Sequence, residues 1–100
     1  MKPRSFKIEK PERIKTRFRT IDPNEAIILS HLPTKWKWIA RDQNGDIYIF
    51  TRKPYKGKHY WTTGSVPDNH MFPYRNMFKC IKWSDEDPVN IDKILKENLG

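Results

Sequence analysis

The 100-residue chain has a single cysteine, Cys80. That excludes an internal disulfide framework and a cysteine-built zinc site. Cys80 lies among Phe78, Ile81 and Trp83, a setting for a small buried hydrophobe rather than a reactive thiolate. No apolar run approaches the ~20 residues that a membrane span needs. Met1-Lys2-Pro3-Arg4 is basic, but no apolar stretch follows, so no signal peptide is expected. A reducing, cytoplasmic setting without a membrane partner is the expectation.

Catalytic signatures are missing as well. The four glycines are scattered and build no phosphate-cradling loop. His31, His59 and His70 lack metal-ligand spacing, since two ligands on one helix would sit four residues apart. Asp68-Asn69-His70, near His59, is the one stretch that hints at a nuclease, but no ββα frame can be laid on residues 60–78. Residue order suggests neither a Ser-His-acid nor a Cys-His arrangement. Asp85, Glu86 and Asp87 read as a solvated acidic turn. The chain is therefore expected to be no enzyme and to hold no metal or cofactor.

What it does have is charge and aromatic rings. Nine of its aromatics are Phe or Tyr and four are Trp, enough to argue against wholesale disorder despite 32% charged residues. The length suits one domain with a small, aromatic-heavy core. The net charge of +8 is uneven. Residues 1–20 carry eight Lys/Arg against two Glu, and residues 51–83 carry seven against one Asp. The stretches between and after them, 21–50 and 84–100, sum to −1 and −3. Such a field attracts nucleic acid or an acidic protein surface, and it also serves plain solubility.

The strongest local signal is the stretch 36–51. Two runs of β-branched and aromatic residues flank Asn44-Gly45, which predicts a β-hairpin with a two-residue type I′ turn. That register pairs Arg41 with Tyr48, Ile39 with Phe50 and Lys37 with Arg52. One face then carries Trp36, Trp38, Ala40, Ile47 and Ile49, and should point into the core. The other mixes Ile39, Tyr48 and Phe50 with Lys37, Arg41 and Arg52, and is either covered by another element or a binding surface.

Around the hairpin, Asp22-Pro23-Asn24-Glu25 predicts a capped helix at about 23–31, with a strand at 26–29 as the runner-up. Ile28, Leu29 and Leu32 could cover the hairpin, and His31 suits the C-terminal end of the helix. Residues 60–63 read as a third strand and 64–76 as a packed or binding loop holding Met71, Phe72 and Tyr74. Residues 77–83 read as a fourth strand, though Phe78 and Ile81 also permit a helical turn. Asn90 can cap a last helix at about 90–98, with Ile91, Ile94, Leu95 and Leu99 on one stripe. Ser5-Phe6-Lys7-Ile8-Glu9-Lys10 could be an edge strand bracketed by Pro3 and Pro11. The expected fold is α+β: residues 1–20 as a basic arm or edge strand, then one compact domain over 21–100. That domain has a small twisted antiparallel sheet of three to five strands and two short helices.

The order Leu32-Pro33, Trp36-Lys37-Trp38-Ile39-Ala40-Arg41-Asp42, Asn44-Gly45, Trp61, Phe78, Ile81-Lys82-Trp83 and an acidic turn before a short helix carries a resemblance. It resembles small uncharacterised accessory proteins encoded by phages and prophages of Gram-positive bacteria, over about residues 32–95. The resemblance implies a cytoplasmic, phage-derived accessory protein and supplies no catalytic residues. The basic N-terminal third departs from it.

Two functions remain. In the first, the chain binds and modulates or inhibits a host or competing protein with an acidic surface. There Met71, Phe72 and Tyr74 anchor the partner, with Arg75 beside them, and basic residues steer it. In the second, it binds nucleic acid through interleaved cations and rings at Lys37, Arg41, Tyr48, Arg52, Lys53, Tyr55, Lys56 and Lys58. No named nucleic-acid motif is present. The protein partner is the expectation that the aromatic motif favours.

Overall fold

A computed structural model describes residues 19–99. The expected N-terminal edge strand at 5–10, and the arm as far as residue 18, lie outside the described residues. The fold is α+β. Helix α1 (Pro23–Ser30) begins as its sequence predicts. Asp22 Oδ1 accepts from the Glu25 N–H at 2.9 Å, and Glu25 Oε1 accepts from the Asp22 N–H at 3.2 Å. This reciprocal box satisfies two donors that the first helical turn leaves over. His31 closes the other end, with Nδ1 2.9 Å from the Ile27 carbonyl. Helix α2 (Ile91–Leu99) is capped by Asn90, whose Oδ1 accepts from the Lys93 N–H at 2.9 Å. It buries Ile91, Ile94 and Leu95 as the stripe predicts.

The hairpin exists, but its register differs from the expected one. Strands β1 (Trp38–Arg41) and β2 (Ile47–Phe50) pair Trp38 with Phe50, Ile39 with Ile49, Ala40 with Tyr48 and Arg41 with Ile47. A type I′ turn needs positive φ at both central residues. Gly45 has φ +98°, but the only non-glycine with positive φ among the described residues is Phe78, so Asn44 does not supply the second. The chain closes instead through a three-residue loop, Gln43-Asn44-Gly45. The Gly45 N–H donates to the Asp42 carbonyl at 3.0 Å, and the Asp42 N–H to the Asp46 carbonyl at 2.8 Å. One residue of slip exchanges the faces of one strand against the other. Ile39 therefore joins Ile47 and Ile49, while Trp38 and Ala40 join Tyr48 and Phe50. The expected grouping of Trp38 and Ala40 with Ile47 and Ile49 is corrected accordingly.

Both faces are covered. The four-stranded antiparallel sheet runs β5 (Asn69–Phe72), β2, β1, β6 (Val89–Asn90). On one face α1, α2 and residues 77–81 pack over Ile39, Ile47, Ile49 and Phe72. Trp36 belongs to this face too, because it lies before β1, in a turn where its N–H donates to the Pro33 carbonyl. On the other face, a two-stranded ribbon of β3 (Tyr55–Lys56) and β4 (Trp61–Thr62) sets Trp61 against Ala40 and Phe50.

Three further expectations are corrected. The stretch 64–76 is loop only in part: after a short 3-10 turn at Val66–Asp68, Asn69–Phe72 forms edge strand β5, and the chain returns to turns over 73–76. Residues 77–83 form no strand but a series of turns. The cause is Arg41. Its guanidinium donates to five backbone carbonyls: Gly45 (2.7 Å), Arg75 (2.9 Å), Met77 (2.7 Å), Phe78 (3.1 Å) and Ile81 (2.7 Å). Carbonyls that converge on one cation cannot alternate along a strand. Strand β6, in turn, was hidden in the Pro88-Val89-Asn90 approach to α2. Cys80 is half-buried rather than buried, and burial pushes its thiol pKa up despite the nearby Arg19.

Candidate functional site

A concave feature lies between α1 and the edge strand β5. It is an open, mainly apolar groove of about 640 Å³. Trp36, Ile49 and Phe72 form its floor, and all three are buried. Ile27 on α1 and Met71 on β5 stand on its two sides and remain 55% and 47% exposed. Exposed singly, such residues would need no explanation, but here they flank one groove. The exposure of Ile27 follows from the cap. Asp22 and Pro23 set the rotation of α1, which turns Ala26 and Leu29 inward and Ile27 out. His31 and His70 also line the groove, and the His70 ring meets Trp36 edge-on at 6.0 Å between centroids.

The backbone of β5 adds to the groove. The Thr51 N–H donates to the Asp68 carbonyl at 2.9 Å, which makes that pair hydrogen-bonded. Hydrogen-bonded pairs alternate in an antiparallel ladder, so Ile49–His70 and Ile47–Phe72 are the next two. Asn69 and Met71 therefore turn their backbone groups to the open edge. The Asn69 N–H donates to the Val66 carbonyl, and His70 Nδ1 lies 2.8 Å from the Met71 carbonyl. Among the described residues, the Asn69 carbonyl and the Met71 N–H remain for an added strand.

The residues singled out from sequence fall into three groups. The first is structural. Arg41 serves the fold through its five carbonyls; burial lowers its pKa and the neighbouring Arg75 lowers it further. Phe72 is 4% exposed and packs at 4.8 Å on Tyr74 and 5.4 Å on Phe78, so it is a core residue and not an exposed anchor. Tyr74 is half-buried beside it. The second group is cations already engaged. Arg52 pairs with Asp68 at 2.6 Å, and Arg75 with Asp46 at 2.8 Å. The Arg52 hydrogen bonds hold the Asp68 carboxyl below its usual pKa, helped by Thr63 and Thr51.

The third group decorates the ribbon face. Lys53 lies 5.6 Å from the centre of Trp38, and Lys56 4.4 Å from Trp83 and 5.2 Å from Trp61. Tyr55 is 60% exposed and Lys58 is exposed, while Lys37 is exposed just before β1 and is not placed with this cluster. Tyr48 is half-buried on this face, away from the helices. Of the three expected anchors, Phe72 and Tyr74 thus lie on the side of the sheet opposite the ribbon cations, and Met71 reaches the groove from the sheet edge.

Sequence reasoning passed over Ile27, Glu25 and Asp42. Glu25 looked like a capping residue only, yet its Oε2 also accepts from the Phe78 N–H at 2.6 Å across 53 positions. Asp42 has no evident role of its own in the sequence. It is 7% exposed, and its Oδ1 accepts from the Trp61 N–H at 2.9 Å, which anchors the ribbon to the hairpin. Burial raises the Asp42 pKa, the Trp61 N–H opposes this, and the Asp46 charge adds to it.

Among the described residues, no cluster of three His, Cys, Asp or Glu side chains could hold a metal ion, and no helix is long and apolar enough to cross a membrane. Comparison with protein-family models, curated proteins and solved structures finds no match for the chain.

Proposed function

We propose that the chain is a non-enzymatic protein-binding module that takes an extended, apolar segment of a partner into the groove between α1 and β5. The observation that carries this reading is the pairing of exposed Ile27 and Met71 across an apolar groove at an open sheet edge. An extended segment would add to β5 through the Asn69 carbonyl and the Met71 N–H, and its alternate side chains would enter the groove. The net charge of +8 favours an acidic partner and speeds encounter. On the phage resemblance, that partner is a host or competing-phage protein, cytoplasmic, whose activity the module modulates or inhibits.

The test is capture from a host lysate by the tagged chain, with nuclease present. A protein should be retained by the wild type and lost with Ile27→Glu and with Met71→Glu, while both variants melt as the wild type does. Retention that both variants leave intact, or that nuclease abolishes, would overturn the reading.

A further inference from the structure

A second cavity opens on the other side of the sheet, between the β1–β2 loop and the β3–β4 ribbon. It measures about 400 Å³ and is lined by polar and apolar surface in similar measure, unlike the mainly apolar groove. Its side chains come from four places: Asp42 and Gln43 from the hairpin, Tyr48 from β2, Tyr60 from the ribbon and Asn69 from β5.

The groups that remain available there are specific. Asp42 Oδ1 is taken by the Trp61 N–H, but Oδ2 has no hydrogen bond among the described residues. No buried side-chain polar atom among them lacks a partner, so Oδ2 keeps contact with solvent, and the cavity is what Asp42 lines. Gln43 Oε1 lies 2.6 Å from His59 Nδ1, a bond that leaves the Gln43 NH₂ to donate. The Asn69 side-chain amide has no partner among the described residues and can both donate and accept. Tyr60 keeps 56% of its surface exposed and presents its ring to the cavity. Tyr48 offers a second ring.

A planar ligand with adjacent N–H donors beside carbonyl and ring-nitrogen acceptors carries the groups complementary to these. We infer that the cavity binds an unpaired guanine base, stacked on tyrosine, with its N1–H and N2–H₂ donating to Asp42 and its O6 and N7 accepting from Gln43 and Asn69. Unpaired bases are read in this manner, by stacking and by their Watson–Crick and Hoogsteen edges. Adenine presents a lone pair at N1 where guanine presents a hydrogen, and so meets the Asp42 carboxylate with repulsion. Exposed Lys58, next to His59 on the ribbon, and the chain's positive charge suit the phosphate that accompanies the base. The site lies on the ribbon face and is independent of the groove, so the module could hold a protein and a nucleotide or strand together.

The test is calorimetric titration of the full chain with GMP, AMP and short single-stranded oligo-G and oligo-A of equal length, at physiological salt. Guanine should bind about tenfold tighter than adenine in whichever form binds. GMP matching the strand would assign a free nucleotide; binding of the strand alone would assign nucleic acid. Tyr60→Ala should weaken guanine binding about tenfold without changing the melting temperature, because the ring is exposed. Asp42→Asn keeps an oxygen for the Trp61 N–H but adds a donor, and should erase the preference for guanine over adenine. Ile27→Glu should leave all of this unchanged. Equal binding of guanine and adenine by the wild type, binding indifferent to Tyr60→Ala, or no saturable binding of any of the four would overturn the proposal.

Discussion

Arg41 donates to the carbonyl of Phe78 at 3.1 Å, and Phe78 is the one non-glycine among the described residues with positive φ, at 56°. A bulky residue in the left-handed region is costly and persists only where its surroundings over-determine it. Here they do. Arg41 holds the carbonyls of Met77, Phe78 and Ile81, Glu25 holds the Phe78 N–H, and the ring is fully buried. Residues on β1 and α1 thereby fix a segment that has no regular structure of its own.

Arg41→Lys should therefore destabilise the protein by about 3 kcal/mol, because one ammonium cannot replace a planar fork serving several carbonyls. Chemical denaturation measures the loss. Hydrogen exchange should speed first at residues 77–81, and uniform acceleration would contradict the keystone role.

Gly45→Ala should cost about 1–2 kcal/mol, since φ is +98° there. Part of the cost is a contact, as an added Cβ would meet Arg75 Nη2 at 2.7 Å. In an Arg75→Ala background the penalty should shrink but not vanish, because the backbone strain stays. A double-mutant cycle reads the difference.

Ile27 and Leu29 are two residues apart on α1 but differ completely in exposure, at 55% and 0%. Ile27→Glu should change stability by no more than about 0.5 kcal/mol. Leu29→Ala should cost about 2–5 kcal/mol. Thermal or denaturant melts that ranked the two equally would contradict the orientation of α1 and, with it, the groove.

Asp68 and Asp42 should act on acid stability with opposite signs. The folded pKa of Asp68 is lowered, chiefly by Arg52, so its contribution is present above the unfolded value of about 3.9 and is lost as pH falls through the folded value. The folded pKa of Asp42 is raised, chiefly by burial, so its contribution is present below about 3.9 and is lost as pH rises through the folded value. Asp68→Asn should flatten the acid limb of a stability–pH curve, and Asp42→Asn should steepen it. Equilibrium denaturation between pH 3 and 7 checks both.

Local chemistry settled the elements whose signals are local. Asp22, Pro23 and Glu25 specify where α1 starts, because a cap and its reciprocal partner lie within one turn. Asn90 and the Ile91, Ile94 and Leu95 spacing do the same for α2. Asn44-Gly45 between two β-rich runs marks a hairpin whatever its register. The binding site was less legible. The basic and aromatic residues were visible, but not that Arg41, Arg52 and Arg75 are engaged within the fold, nor that Phe72 is core, since partners such as Ile81, Asp68 and Asp46 are 16 to 40 positions away.

The sequence by itself determined the α+β class, the two helices and the central hairpin, because capping, turn chemistry and apolar periodicity act over a few neighbouring residues. Only the tertiary structure decided the rest. Asn-Gly permits more than one loop length, and the three-residue loop was selected where Asp42 could reach Trp61 and Arg75 could reach Asp46. Strand β6 is too short to announce itself, strand β5 lies between turn-forming Pro67 and Pro73, and both exist because β1 and β2 offer them ladders. Residues 77–83 carry strand-like composition but gave up a strand to satisfy one half-buried guanidinium. These choices compare contacts between distant segments, and such contacts leave no periodic trace along the chain.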